Sequence, residues 1–270
     1  MRKSGVDAPK VRRLSAPEAG NSTASRAIEV LLVFDEVASP VSATEVARRL
    51  GMSRATTYRY LQSLRSTGLV EEDEERGGFR LGPRILVLAK AARRGEGLVE
   101  AAQPVMGQLA QKTGEAVLLT RRAGQQVVCL ERRESSFPLR ISFERGHVMP
   151  LQAGASAKVL LAWLNSEELE TVLAGLRLYR ITANTITDPA VLRADLAKSR
   201  ERGWALSRGE VDDGVVGVAA PIWRDDHRVV AGLSLVAPAY RVSEDRLDEL
   251  AALVVDGARS VSERLATLDA

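Results

Sequence analysis

In MSRATTYRYLQSLRSTGLV, residues 52–70, arginines and tyrosines share a short segment with a regular row of aliphatics. A guanidinium can make paired hydrogen bonds to a guanine edge or meet a phosphate. The segment reads as a helix, with Ser53 placed to cap its first turn and Gly68 to end it at positive φ. Thr57, Leu61 and Leu64 fall at i, i+4 and i+7 with Tyr60 beside them, so one stripe faces a core. Arg54, Ala55, Tyr58, Arg59 and Gln62 share the other side, with Ser53 and Thr56 at its start. Such a face is either simply hydrated or a surface that reads DNA, and its neighbours must decide between the two.

A second stretch, MPLQAGASAKVLLAW (149–163), runs five small residues, Ala153 to Ala157, into an apolar helix. Without bulky side chains, backbone N–H groups at a helix start can approach an anion, and the helix dipole favours negative charge there. Close packing of the helix on a sheet would need the same small residues, so both readings stand. Other chemistry is sparse. Cys129, flanked by Val128 and Leu130 on a strand-like run, reads as a buried structural thiol, and His147 and His227 read as loop histidines. There is no Gly-rich phosphate loop, nucleophile elbow or paired metal-ligand spacing, so no catalytic residue, metal or cofactor is expected.

The elements around the first stretch resolve its ambiguity. ASRAIEVLLVFDEV (24–37) places Ala27, Val30, Leu31 and Phe34 at helical spacing before Pro40. SATEVARRLG follows, with Ser42 and Glu45 spaced as a capping box and Gly51 closing the helix. Two short helices joined by a glycine turn and packed on a first helix make a helix-turn-helix, whose second helix enters the major groove. LVEEDEERGGFRLG (69–82) then alternates around Gly77–Gly78, a pair suited to a tight hairpin turn, and supplies a wing. Its acids should point away from DNA, leaving Arg76 and Arg80 to make any contact.

Charge is divided in the same sense. Residues 1–97 hold 17 Lys/Arg against 12 Asp/Glu, whereas residues 98–270 hold 21 against 23, so the positive excess belongs to the N-terminal third. Much of it lies in residues 1–21, a Ser/Ala/Pro/Gly-rich basic stretch expected to be a disordered tail. A winged helix-turn-helix is expected over 22–82, a linker helix over 83–97 with Ile85, Leu88 and Ala92 on one side, and a second domain over 98–270. In that domain, strand-like runs EAVLLTRR, QQVVCLERRE and LRISFE precede helices near 153–164, 166–174 and 189–202. Strands near 204–208, 215–223 and 228–237 and a helix over 243–266 complete an α+β domain.

At this level of detail, residues 24–266 resemble a transcriptional regulator of the IclR family. The resemblance rests on ASRAIEVLLVF, SATEVARRLGMSRATTYRYLQSL and GLVEEDEERGGFRLGPRILVLA in the N-terminal part, and on PLQAGASAKVLLAWL, TITDPAVLRADLAKSRERGW and GVVGVAAPI in the C-terminal part. It implies a mixed α/β architecture: an N-terminal winged helix-turn-helix and a C-terminal profilin-like or GAF-like α+β domain that binds a small-molecule effector. It also implies a linker helix that supports dimerisation, although a plain core helix would have the same periodicity. Carried over by position, the effector loop gives Ala155 and Ser156, and the facing strands give Val215, Gly217 and Ser234. Where relatives that bind small acids carry Asp, Cys and a second Ser, this chain has Ser207, Gly217 and Val236. The usual His before the loop is Gln152, and the usual Gly-Lys pair is Ala157–Lys158. These departures imply a roomier, less charged pocket and a larger, partly apolar carboxylate.

The expected partners are double-stranded DNA at a near-palindromic operator, a small-molecule effector, and a second copy of the chain in a homodimer or tetramer. With a single cysteine and no apolar run of about 20 residues, a cytoplasmic protein without a membrane partner is expected. Two other classes compete: a ligand-independent DNA binder whose C-terminal domain only oligomerises, and an enzyme.

Overall fold

A computed structural model of the chain describes residues 23–37, 39–94, 97–137, 142–224 and 228–269. The tail expected over 1–21 and His227 lie outside these residues. The chain divides into two compact units, with the boundary between Arg94 and Gly95.

In the first unit, α1 (Thr23–Glu36), α2 (Ala43–Leu50) and α3 (Arg54–Ser66) pack about Val30, Val46, Leu61 and Leu64. Ser42 caps α2 by accepting the Glu45 N–H at 3.2 Å, and Gly51 ends it at φ 63°. The reciprocal half of the expected box does not form, because the Glu45 carboxylate is held by Arg48 and Arg49. Those guanidinium hydrogen bonds bring its pKa down to about 2. Ser53 caps α3 from outside, accepting the Thr56 N–H at 3.1 Å. At the other end Gly68, at φ 74°, donates to Arg65 O while Leu69 donates to Leu64 O, the paired bonds of a Schellman closure.

Strands β1 (Val70–Glu72) and β2 (Phe79–Leu81) form the wing. Its turn is longer than the expected two glycines. Asp73 to Gly78 make the loop, Asp73 N bonding Gly78 O at 2.9 Å and the Asp73 carboxylate accepting the Arg76 N–H. Gly78 is needed elsewhere: a Cβ there would stand 2.9 Å from Val41 O. That close approach lets Val41 exchange two 2.8 Å backbone bonds with Phe79, stitching the wing to the segment before α2. Helix α4 (Arg84–Arg94) closes the unit.

The second unit is a six-stranded antiparallel sheet, in order β5-β4-β3-β8-β7-β6, with helices on both faces. Its strands are β3 (Ala116–Ala123), β4 (Gln126–Arg133), β5 (Val148–Pro150), β6 (Ala205–Arg208), β7 (Val215–Arg224) and β8 (Arg228–Pro238). Helices α5 (Leu98–Thr113) and α9 (Glu244–Asp269) cover one face, burying Val218, Ile222, Leu233 and Leu235. On the other lie α6 (Ala155–Ala162), α7 (Ser166–Gly175) and α8 (Pro189–Arg202), over Leu118, Ala219 and Val236. Alternation along each strand thus sorts one sheet into two cores.

Asp188 caps α8 with Pro189 in its first turn, as the sequence predicts. LRISFE (139–144) is only half described. Residues 138–141 fall outside the described set, 142–144 are not strand, and the sheet instead gains β5 further on. The whole is an α+β fold of two domains.

Candidate functional site

Helix α3 buries Thr57, Tyr60, Leu61 and Leu64 against α1 and α2, which leaves its other side outward. Ser53, Arg54, Ala55, Tyr58 and Arg59 are exposed, and Thr56 is half-buried with its hydroxyl 2.8 Å from that of Ser53. Among the described residues no carboxylate pairs with Arg54 or Arg59; the Arg59 guanidinium lies 5.8 Å from the centre of the Tyr60 ring. Tyr58 meets Phe79 of the wing edge-on at 6.0 Å and remains an exposed residue. The two wing arginines differ. Arg80 Nε is 2.7 Å from Glu71 and Arg65 is paired with Glu72, whereas no carboxylate pairs with the Arg76 side chain among the described residues. The acidic run is therefore partly consumed within the unit, by Arg80 and Arg65.

In the second unit a pocket opens where α6 begins. Ala155, Ser156, Ser207, Val215, Gly217, Ser234 and Val236 all line it. Register explains the convergence: Gly217 pairs with Ser207 on one side and with Val236 on the other, and both flanking strands present the same face to α6. Gly217 has Ala155 in contact, since a Cβ added there would sit 3.4 Å from the alanine methyl. Leu118, Phe143, Met149 and Val211 complete apolar walls.

The polar end is built at Gly154, whose φ of 89° and ψ of 153° suit only glycine. Its N–H donates to Glu210 Oε2 at 3.1 Å, and its carbonyl accepts from Ala157 and Lys158. The N–H groups of Ala155 and Ser156 have no acceptor among the described residues. Ser156 Oγ lies 2.8 Å from Ser234 Oγ, with both side chains buried. Of the acids at the rim, Asp212 is bonded by the Ser142 N–H and hydroxyl, and Glu210 accepts from Lys158 Nζ at 2.5 Å. Among the described residues no lysine or arginine lines the pocket, and the donors they offer are backbone amides and serine hydroxyls.

Sequence reasoning passed over Glu210, and named Lys158 only as half of the Ala157–Lys158 pair. Glu210 reads as part of a hydrated acidic loop, SRGEVDDG. Lys158 did leave a signal, since it is the lone charge in ASAKVLLA, a helix otherwise small or apolar on every side. Gln152 is buried, its Nε2 donating to Tyr179 O at 2.6 Å. Cys129 is buried as expected, and burial pushes its thiol up to about 12, an inert group at neutral pH. His147 is exposed beside Ser142 O. Among the described residues no group of His, Cys, Asp and Glu is arranged to hold a metal.

A winged helix-turn-helix followed by a separate pocket-bearing α+β domain defines a DNA-binding transcriptional regulator. Residues 23–74 match the IclR helix-turn-helix domain, and residues 91–263 match the bacterial transcriptional regulator IclR C-terminal domain. The chain belongs to the IclR family. It is 34% identical to the HTH-type transcriptional regulator BhcR of Paracoccus denitrificans, over 97% of this chain and 94% of that one. An IclR-type structure from Silicibacter sp. TM1040 superposes with a TM-score of 0.80 at 30% identity, covering 91% of this chain and 96% of that one. An IclR homologue from Microbacterium hydrocarbonoxydans, complexed with 4-hydroxybenzoate, superposes with a TM-score of 0.77 at 26% identity, covering 91% and 100%.

Proposed function

We propose that this regulator binds its operator through the exposed face of α3 and the wing, and that a small apolar monocarboxylate in the α6 pocket sets the affinity. The observation that carries the ligand class is the pair of N–H groups on Ala155 and Ser156 at the start of α6, which have no acceptor among the described residues and adjoin apolar and serine walls. Two adjacent amides at the positive end of a helix receive one carboxylate. Among the described lining residues a second carboxylate would meet no cation, only Glu210 and Asp212. Phe143, Met149, Val211 and Val215 suit a flat apolar body, and the Microbacterium relative holding 4-hydroxybenzoate supports that choice.

Ser53, Arg54, Ala55, Thr56, Tyr58 and Arg59 form the reading surface, with Arg76 and Arg80 at the wing. A homodimer on a near-palindromic site follows, since one recognition helix covers too few base pairs for selectivity. The setting is the cytoplasm, and the domain works by binding rather than turnover.

Gel shift on the gene's own upstream DNA, with and without 4-hydroxybenzoate and related aromatic and aliphatic acids, tests the reading. At least one monocarboxylate should change operator affinity by a coupling of about 1–3 kcal/mol, and matched dicarboxylates should not. Intact operator binding that no acid alters would instead make the second domain an oligomerisation module.

A further inference from the structure

Lys158 is 1% exposed, on a helix where every other residue is small or apolar. Its ammonium sits 2.5 Å from Glu210 Oε1, and Asp195 Oδ2 of α8 stands 2.9 Å away as an ion-pair partner rather than a well-directed acceptor. Glu210 is itself held from behind. Its carbonyl accepts the Thr185 hydroxyl at 2.7 Å, the preceding Gly209 carbonyl accepts the Thr182 hydroxyl at 2.6 Å, and both threonines are buried. The other oxygen of the same carboxylate takes the Gly154 N–H, at the glycine whose positive φ starts α6.

We propose that Glu210, fixed by Thr182, Thr185 and Lys158, is a positioning residue that latches Gly154 and thereby directs the Ala155 and Ser156 amides into the pocket. The inference rests on the effector reading above for what those amides receive. Three consecutive N–H groups begin the helix, and a carboxylate of the protein takes one, leaving two. The carbonyl of Gly154 is held by the Ala157 and Lys158 amides of α6, and the Glu210 bond is what holds its N–H side. The lysine neutralises the latch, so an incoming anion meets an ion pair rather than a bare carboxylate.

Residue-resolved amide exchange by NMR on the full-length protein tests this without a ligand. Gly154 should be protected at the level of the core, whereas Ala155 and Ser156 should exchange at least about a hundredfold faster although they adjoin it. Gly154 exchanging as fast as its neighbours overturns the latch. A second arm compares Lys158→Met/Glu210→Gln, which keeps an acceptor for Gly154, with Lys158→Met/Glu210→Leu, which does not. Protection of Gly154 should survive in the first and fall about tenfold or more in the second, and equal protection in the two overturns the proposal. Added 4-hydroxybenzoate should slow Ala155 and Ser156 only. The same exchange pattern with no response to this or any other monocarboxylate refutes the effector reading and leaves the latch standing.

Discussion

Arg54 occupies the first turn of α3, while Arg59 lies farther along the same exposed face. A side chain at the start of a recognition helix reaches base edges, and one farther along meets the backbone of the duplex. Arg54→Ala should therefore cost about 1–3 kcal/mol on the operator and relax base preference there, whereas Arg59→Ala should weaken all sequences alike. Fluorescence anisotropy on operator and scrambled duplexes separates the two, and equal losses on both DNAs for Arg54→Ala would remove its base-reading role. In the pocket, Ser156→Phe should fill the space beside Ser234 and abolish the ligand response while DNA binding persists, since the winged unit has its own core. An effector titration of operator affinity checks this. Loss of DNA binding itself would instead make the loop purely structural. At this scale the seven positions that line the pocket came from the family resemblance, through a motif for Ala155, Ser156, Val215 and Gly217 and by position on the strands for Ser207, Ser234 and Val236. Glu210 was not, because its partner Lys158 lies 52 residues away in sequence and their pairing exists only in the fold.

Helices were legible wherever a cap and a period agreed, as at Ser53, Asp188 and Gly51. Strand pairing at a distance was harder to read. The wing's Gly77–Gly78 signal was real, but Gly78 serves the Val41 contact rather than a two-residue turn, and no local pattern distinguishes these uses. Helix α4 shows what periodicity leaves open. Leu86, Val87 and Leu88 are 73%, 60% and 50% exposed, and on α1 Ile28 and Leu32 are 57% and 58% exposed. Large aliphatics left this open within their own unit call for a covering surface, and the homodimer proposed above would supply one from its second copy. Leu86→Glu/Leu88→Glu should shift the assembly toward smaller species in light scattering and reduce operator affinity about tenfold or more by removing the paired half-site. Unchanged mass and affinity would place the dimer contact on another element.

Across the whole chain, positive charge is concentrated in the N-terminal third, and α3 adds two unpaired guanidiniums to its outer face. With about four phosphate contacts per dimer, operator affinity should fall about a hundredfold between 50 and 200 mM salt. Binding of a monocarboxylate to backbone amides in an apolar pocket should change far less over the same range, and parallel titrations would compare the two. An equally steep salt dependence for ligand would point to a surface cation instead. The central sheet carries a further consequence. On β8, Ser234 and Val236 face the pocket, while Leu233 and Leu235 between and beside them face α5 and α9. On the reading proposed above, the ligand's contacts and the core under α5 and α9 are therefore written on alternate letters of the same strands. Substitution at Gly217 or Ser234 can then retune the pocket's chemical vocabulary while the opposite layer stays untouched, whereas Val215 and Val236 also pack in the core under α6 and carry a cost in stability.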